Sequence, residues 1–149
     1  MSFRYAIEGI ISAIKSEAHL RFHIVIANLI AVFAYFYGIS KAEWAVLVLM
    51  VFSVIGAELL NTAIEAAVDV ATSEIKPMAK IAKDAAAGAV LVLAIAAILV
   101  GVCLFGNLEK ISQTLIHIFT TPKILIPCLI LGVADIIFII FGGKNDKKI

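Results

Sequence analysis

The chain has 149 residues, 63% of them hydrophobic and only 15% charged, with a formal net charge of +1 and a mean hydropathy of +1.11. A water-exposed globular domain carries about 25% charged residues, so the composition excludes an ordinary soluble domain, and a charge this close to zero offers no electrostatic footprint for nucleic acid. The apolar residues also fall in blocks long enough to cross a bilayer, which indicates a small all-α integral membrane protein.

Phe3 to Leu20 (FRYAIEGIISAIKSEAHL) places Phe3, Ile7, Ile10 and Ile14 at helical spacing, with Arg4, Glu8, Ser12, Lys15 and His19 mostly elsewhere around the wheel. That pattern predicts an amphipathic helix lying on the membrane interface, as an anchor or as a lid over a site. No cleavable leader is expected, because the first apolar run starts only near Phe22 and no small-residue cleavage site follows it. Four spans are predicted: Phe22 to Tyr37, Trp44 into an acidic stretch, Ala85 to Phe105, and Ile124 to Phe141. Each approaches the roughly 20 apolar residues needed to span the hydrocarbon. The connection after the third span is long, and its QTLIHIF segment suits the interface.

Lysine and arginine set the orientation. With the N-terminus in the cytoplasm, Arg4, Lys15, Arg21, Lys76, Lys80, Lys83, Lys144, Lys147 and Lys148 lie inside, and only Lys41, Lys110 and Lys123 lie outside. This positive-inside bias predicts a multi-pass protein of the plasma membrane with both termini cytoplasmic. The charged end of the second span then faces the cytosol as well.

That end is the anomaly. Ala45 to Ala57 (AVLVLMVFSVIGA) is fully apolar apart from one serine, and ELLNTAIEAAVD follows without a break in helical pattern. At about 100° per residue, Glu58, Asn61, Glu65 and Asp69 share one face within about 80°, over about 16 Å of helix. A carboxylate at the bilayer centre costs about 2.5–3.5 kcal/mol, so a stripe of acids calls for a purpose. Three readings fit the residues: a polar seam satisfied by the following lysines, a proton or cation path, or a metal–nucleotide site. Carboxylates and an amide are hard oxygen ligands suited to Mg²⁺, and Lys76, Lys80 and Lys83 can meet phosphate oxygens as point charges. There is no P-loop and no GxGxxG pattern.

AELLNTAIEAAVD, together with AKIAKDAAAGAVL, resembles the prokaryotic diacylglycerol kinase family. The pattern E-x-x-N-[ST]-A-x-E-x-x-x-D, that family's signature, stands complete at Glu58, Asn61, Thr62, Ala63, Glu65 and Asp69. The resemblance runs from about Ser2 to Phe105, which makes 1–105 a kinase-like membrane domain and 106–149 an extension with a fourth span that family members usually lack. Within the family, SFRYAIEGIISAIKSEAHLRFH is most similar to the undecaprenol kinases of Gram-positive bacteria. The resemblance implies homotrimers with active sites between neighbouring subunits at the cytoplasmic interface, transferring the γ-phosphoryl of MgATP to a lipid alcohol. It implies Glu58 as general base on the lipid hydroxyl, Asn61 and Asp69 as residues that orient the site, and Glu17 and Glu65 as holders of Mg²⁺ against the ATP phosphates. Tyr5, Glu74, Lys83 and Asp84 match nucleotide contacts, and Arg4 stands near an arginine that some members carry further upstream.

Undecaprenol is the expected acceptor and diacylglycerol the alternative, since both present a primary hydroxyl on an apolar body. A small cation-coupled exporter is the reading from another class, although the first span lacks the mid-membrane acid it would need; a non-catalytic scaffold would leave the acidic stripe without a purpose. Of the remaining features, His19 and His23 at i,i+4 read as interfacial packing before a zinc pair. Cys103 and Cys128 read as buried free thiols. DAAAGAV provides small residues for close helix approach, and Asp135 in the fourth span reads as an interhelical hydrogen-bonding group.

Overall fold

The computed structural model describes residues 2–72 and 76–143. It contains six helices: α1 (Ser2–Ser16), α2 (Ala18–Tyr37), α3 (Lys41–Ala71), α4 (Pro77–Leu104), α5 (Leu108–Thr120) and α6 (Pro122–Phe141). No strand occurs among the described residues. Of the six, α2, α3, α4 and α6 are long and apolar enough to cross a membrane, as expected from the sequence.

The middle pair is longer than a span requires. With 31 residues in α3 and 28 in α4, the helices measure about 46 and 42 Å at 1.5 Å per residue, against a hydrocarbon core of about 30 Å. The surplus turns hold Glu65, Asp69, Lys80, Lys83 and Asp84, the charged part of the acidic stripe and its facing lysines. Pro77 at the first position of α4 costs no hydrogen bond, because that amide would be unpaired anyway. α3 and α4 lie antiparallel and make the most extensive contact in the chain.

The opposite end of the bundle is fixed by aromatic packing. Phe33, Tyr37 and Phe105 have ring centroids 5.2–5.7 Å apart; Tyr37 belongs to a buried cluster with Ala34, Ile39 and Leu47, against which Phe33 and Phe105 pack. Lys110 sits 4.2 Å above the Tyr37 ring, a cation–π contact. The turn from α2 to α3 is short because Gly38 takes a left-handed conformation at φ 71°, which a residue with a Cβ rarely adopts. Ser40 then opens α3 with a reciprocal cap: its hydroxyl accepts from Glu43 N, and its own N–H donates to Glu43 Oε2 at 2.6 Å.

Two boundaries differ from the sequence expectation. The N-terminal helix does not run to Leu20 but ends at Ser16, with Glu17 extended at φ −103°, ψ 113° as the cap of α2. The cause is Arg21, 7% exposed, whose Nη1 donates to the carbonyls of Ile14 at 2.7 Å and Lys15 at 2.9 Å. These are unpaired carbonyls at the end of α1, so satisfying them from α2 stabilises a bend there. The loop segment expected at the interface is a full amphipathic helix, α5, capped by the Asn107 side chain accepting from Lys110 N. The cysteines differ too: Cys103 is exposed and Cys128 half-buried.

α6 packs along α2. Asn28 Nδ2 donates to Asp135 Oδ1 at 3.2 Å, and Asp135 is 6% exposed with its Oδ2 unpartnered. Two turns further along, a Cβ on Gly143 would lie 2.7 Å from Arg21 Nη2, so the glycine gives the guanidinium room against the end of α6. Asn28→Leu should therefore destabilise the protein by about 1–3 kcal/mol, because it strands a buried acid, whereas Asn28→Leu with Asp135→Leu should recover most of that loss. Equilibrium unfolding in mixed micelles, read by far-UV circular dichroism, measures both.

Candidate active site

Four of the sequence-nominated residues converge. Glu17, Glu58, Asn61 and Glu65 line one open cleft of about 430 Å³ between α2, α3 and α4, together with His19, His23, Ala87, Val90, Leu91 and Ala94. The bend that ends α1 delivers Glu17 to this cleft at the first turn of α2. Along α3 the stripe shows a gradient: Glu58 is buried, Asn61 and Glu65 are half-buried and Asp69 is exposed. A helix leaving the bilayer produces that gradient, since each turn moves the side chain closer to water.

Glu58 is 5% exposed and is held by His23, whose Nε2 lies 3.1 Å from Glu58 Oε1. Asn61 Nδ2 donates to Glu65 Oε1 at 2.9 Å, which leaves Asn61 Oδ1 buried without a partner. Glu17, Asn61 Oδ1 and Glu65 thus provide hard oxygen donors around the cleft, the ligand type that suits Mg²⁺. No three acidic, histidine or cysteine side chains among the described residues close on a metal-sized site, so an ion here would complete its shell with oxygens from elsewhere. Magnesium habitually takes those from substrate phosphates, and the residues fit that use.

The other nominated residues lie outside the cleft. Lys83 Nζ pairs with Asp69 Oδ1 at 2.5 Å across α3 and α4, and Lys80 pairs with Asp84 one turn away on α4. This exposed cluster lies about one turn beyond Glu65. Tyr5, 67% exposed, stands on α1, and Arg4 pairs there with Glu8 at 2.8 Å. Glu74 lies outside the described residues, as do Lys144, Lys147 and Lys148. The polar-seam reading is thus met in part at Asp69 and Lys83, while Glu58 and Glu65 are bound by a histidine and an amide.

Sequence reasoning missed His23. Its i,i+4 spacing to His19 drew attention to zinc, while its partner was an acid on another helix. His23 also lines a second, apolar cleft with Ile26, Ile30, Leu47, Val51, Val54 and Phe105 among its walls. On α4 the two linings follow one face, from Ala87 through Ala94 to Ala97 and Phe105. The two clefts share His23 and follow this face over about 27 Å of helix at 1.5 Å per residue, one with carboxylates at its mouth and the other an apolar groove. On the other side of α3, Gly56, Ala57, Ala86 and Ala89 line a separate apolar groove of about 780 Å³ that also reaches Asn61.

A carboxylate-lined mouth on a groove of hydrocarbon character, within a bundle of spanning helices, defines a multi-pass membrane protein with a site suited to an amphiphile. Residues 4–105 match the family model for prokaryotic diacylglycerol kinase. The chain belongs to that family and is a lipid kinase of the bacterial membrane. It is 38% identical to the undecaprenol kinase of Bacillus subtilis over 104 residues, covering 70% of this chain and 85% of the relative. It is 42% identical to the diacylglycerol kinase of a Synechocystis species over 105 residues, again 70% of this chain but 60% of the relative. The diacylglycerol kinase of Haemophilus influenzae is 32% identical over 105 residues, 89% of its length. No solved structure gives a significant match. Family membership sets aside the exporter and scaffold readings, and the matched segment ends where α5 and α6 begin.

The Lys83–Asp69 pair is exposed, with 37% and 66% of the two side chains accessible, and exposed pairs contribute about 0–1 kcal/mol. Lys83→Met should accordingly shift unfolding in mixed micelles by less than about 1 kcal/mol. Any large effect of this change then belongs to the site and not to the fold.

Proposed function

We propose that the protein transfers the γ-phosphoryl of MgATP to the hydroxyl of a membrane lipid alcohol, with undecaprenol as the preferred acceptor. The observation that carries this reading is Glu58, a buried carboxylate at the point where the acidic mouth meets the apolar groove. An alcohol whose tail occupies the groove presents its hydroxyl there, and a phosphate group in the mouth faces it.

The lipid oxygen attacks the γ-phosphorus, the bond from that phosphorus to the β–γ bridging oxygen breaks, and ADP leaves. Glu58 accepts the hydroxyl proton. Glu17 and Glu65 would hold Mg²⁺, which would supply charge neutralisation at the phosphates; Asn61 orients Glu65 through its amide. Phosphoryl transfer is chiefly positioning and charge stabilisation, so few residues suffice. Lys83, once released from Asp69, together with Lys80, Asp84 and Tyr5, would contact the nucleotide, and the family resemblance assigns Glu74 the same role. The positive-inside bias of the sequence supports a cytoplasmic position for this end and for both termini, where ATP is available.

Undecaprenol is supported by the groove's lining, which below His23 offers apolar side chains and no donors for the ester carbonyls of a diacylglycerol. Likeness to the Bacillus undecaprenol kinase is compatible with this acceptor. Diacylglycerol phosphorylation to phosphatidic acid is the second reading, favoured by the names of several relatives. A homotrimer accords with the uncovered α3–α4 face, where Gly56, Ala57, Ala86 and Ala89 allow close helix approach.

Purified protein in mixed micelles with Mg²⁺ and γ-labelled ATP should label undecaprenol in preference to diacylglycerol. Labelling of diacylglycerol alone would favour the second reading, and labelling of neither would overturn both. Glu58→Gln should lower turnover by about 10²-fold or more without altering the oligomer seen by size-exclusion light scattering. Glu65→Gln should raise the Mg²⁺ concentration needed for half-maximal rate.

A further inference from the structure

We infer that His23 is the positioning residue of the acceptor side: it fixes Glu58 and marks where the lipid hydroxyl stops. The inference rests on the assignment of Glu58 as proton acceptor and adds a residue on a different helix. Two independent observations carry it. Nε2 of His23 lies 3.1 Å from Glu58 Oε1, and among the described residues His23 is the one side chain that lines both the acidic mouth and the apolar groove.

The chemistry of the contact is constrained. An ionised carboxylate only accepts hydrogen bonds, so Nε2 carries the hydrogen and donates it. That bond engages Oε1, so Oε2 is the oxygen assigned here to the incoming alcohol. A glutamate has three rotatable bonds, and on an open cleft wall its carboxylate would sample several directions. Here it is buried, and the imidazole pins it from α2.

The ring is itself held. Phe22 packs edge-on against it at 5.9 Å between centroids, and only 23% of the His23 side chain is accessible. Its apolar flank adjoins Ile26 and Val54 in the groove lining. A hydrocarbon tail can therefore run past His23, but the polar end of the alcohol meets the Nε2–Glu58 pair and goes no deeper. His23 would thus set the depth of the acceptor, and Glu58 would take its proton.

The test uses the full-length protein in mixed micelles with undecaprenol. His23→Leu should lower kcat by about 10- to 100-fold, the scale of a misplaced reacting group, with KM for MgATP within about twofold of wild type. His23→Gln, which keeps an amide N–H near the Nε2 position, should restore kcat to within about threefold of wild type. A His23→Leu enzyme with undiminished kcat, or a His23→Gln enzyme as slow as His23→Leu, overturns the inference. Should His23→Leu fail to fold, the Nε2 ¹⁵N resonance of His23 decides the matter in the histidine-bearing protein. It should move on Glu58→Gln, and an unmoved signal overturns the contact. Full activity of Glu58→Gln would remove the underlying assignment, while an inactive Glu58→Gln beside a fully active His23→Leu removes only the role of His23.

Discussion

The arrangement depends on keeping an anionic side chain at the edge of hydrocarbon. Glu58 follows a fully apolar turn of α3 and is 5% exposed, a position where an unpaired carboxylate is costly. Three features offset that cost: a hydrogen-bond donor from another helix, a polar cleft at one side, and successive turns of α3 that lead outward to water. The donor requires α2 to pass α3 at the level of His23. The cleft requires the Glu17 bend, and the outward path requires helices longer than a simple span. The first three helices and the site are one solution to a single solvation problem.

The same requirement explains why the two acids of the cleft are held differently. Glu65, half-buried, is held from within its own helix by Asn61 one turn earlier. Glu58 is deeper and has no such neighbour; its partner comes from α2. The near acid is half-open to the cleft, and the far acid is buried and held from another helix. Burial separates their surroundings although both belong to one sequence pattern.

The spans, the amphipathic N-terminal segment and the acidic face were legible because each depends on periodicity within a single helix. The helical spacing of Glu58, Asn61 and Glu65 places them on one wall, and the structure confirms that placement. Contacts between helices were not legible in the same way. His23 reads as half of an i,i+4 pair with His19, and nothing local reveals that it faces Glu58. Arg21 reads as a marker of membrane orientation, yet it terminates α1 and underlies the bend at Glu17. Asp135 was an exception: a lone acid in an apolar span needs a partner, and Asn28 on α2 provides a hydrogen bond to it. The pairing of Lys83 with Asp69 was anticipated as one possibility, because a short connection between antiparallel helices brings their charged ends together.

The surplus length of α3 has a consequence for the lipid environment. A helix with several turns beyond the hydrocarbon can slide or tilt as the bilayer thickens or thins, and its acidic face moves relative to the headgroups. In a thin membrane the cleft stands further into water, where an amphiphile must rise to reach it. In a thick one the mouth is drawn toward the acyl chains, where charge is harder to maintain. Membrane thickness therefore acts as a mechanical setting on the depth of the acidic cleft.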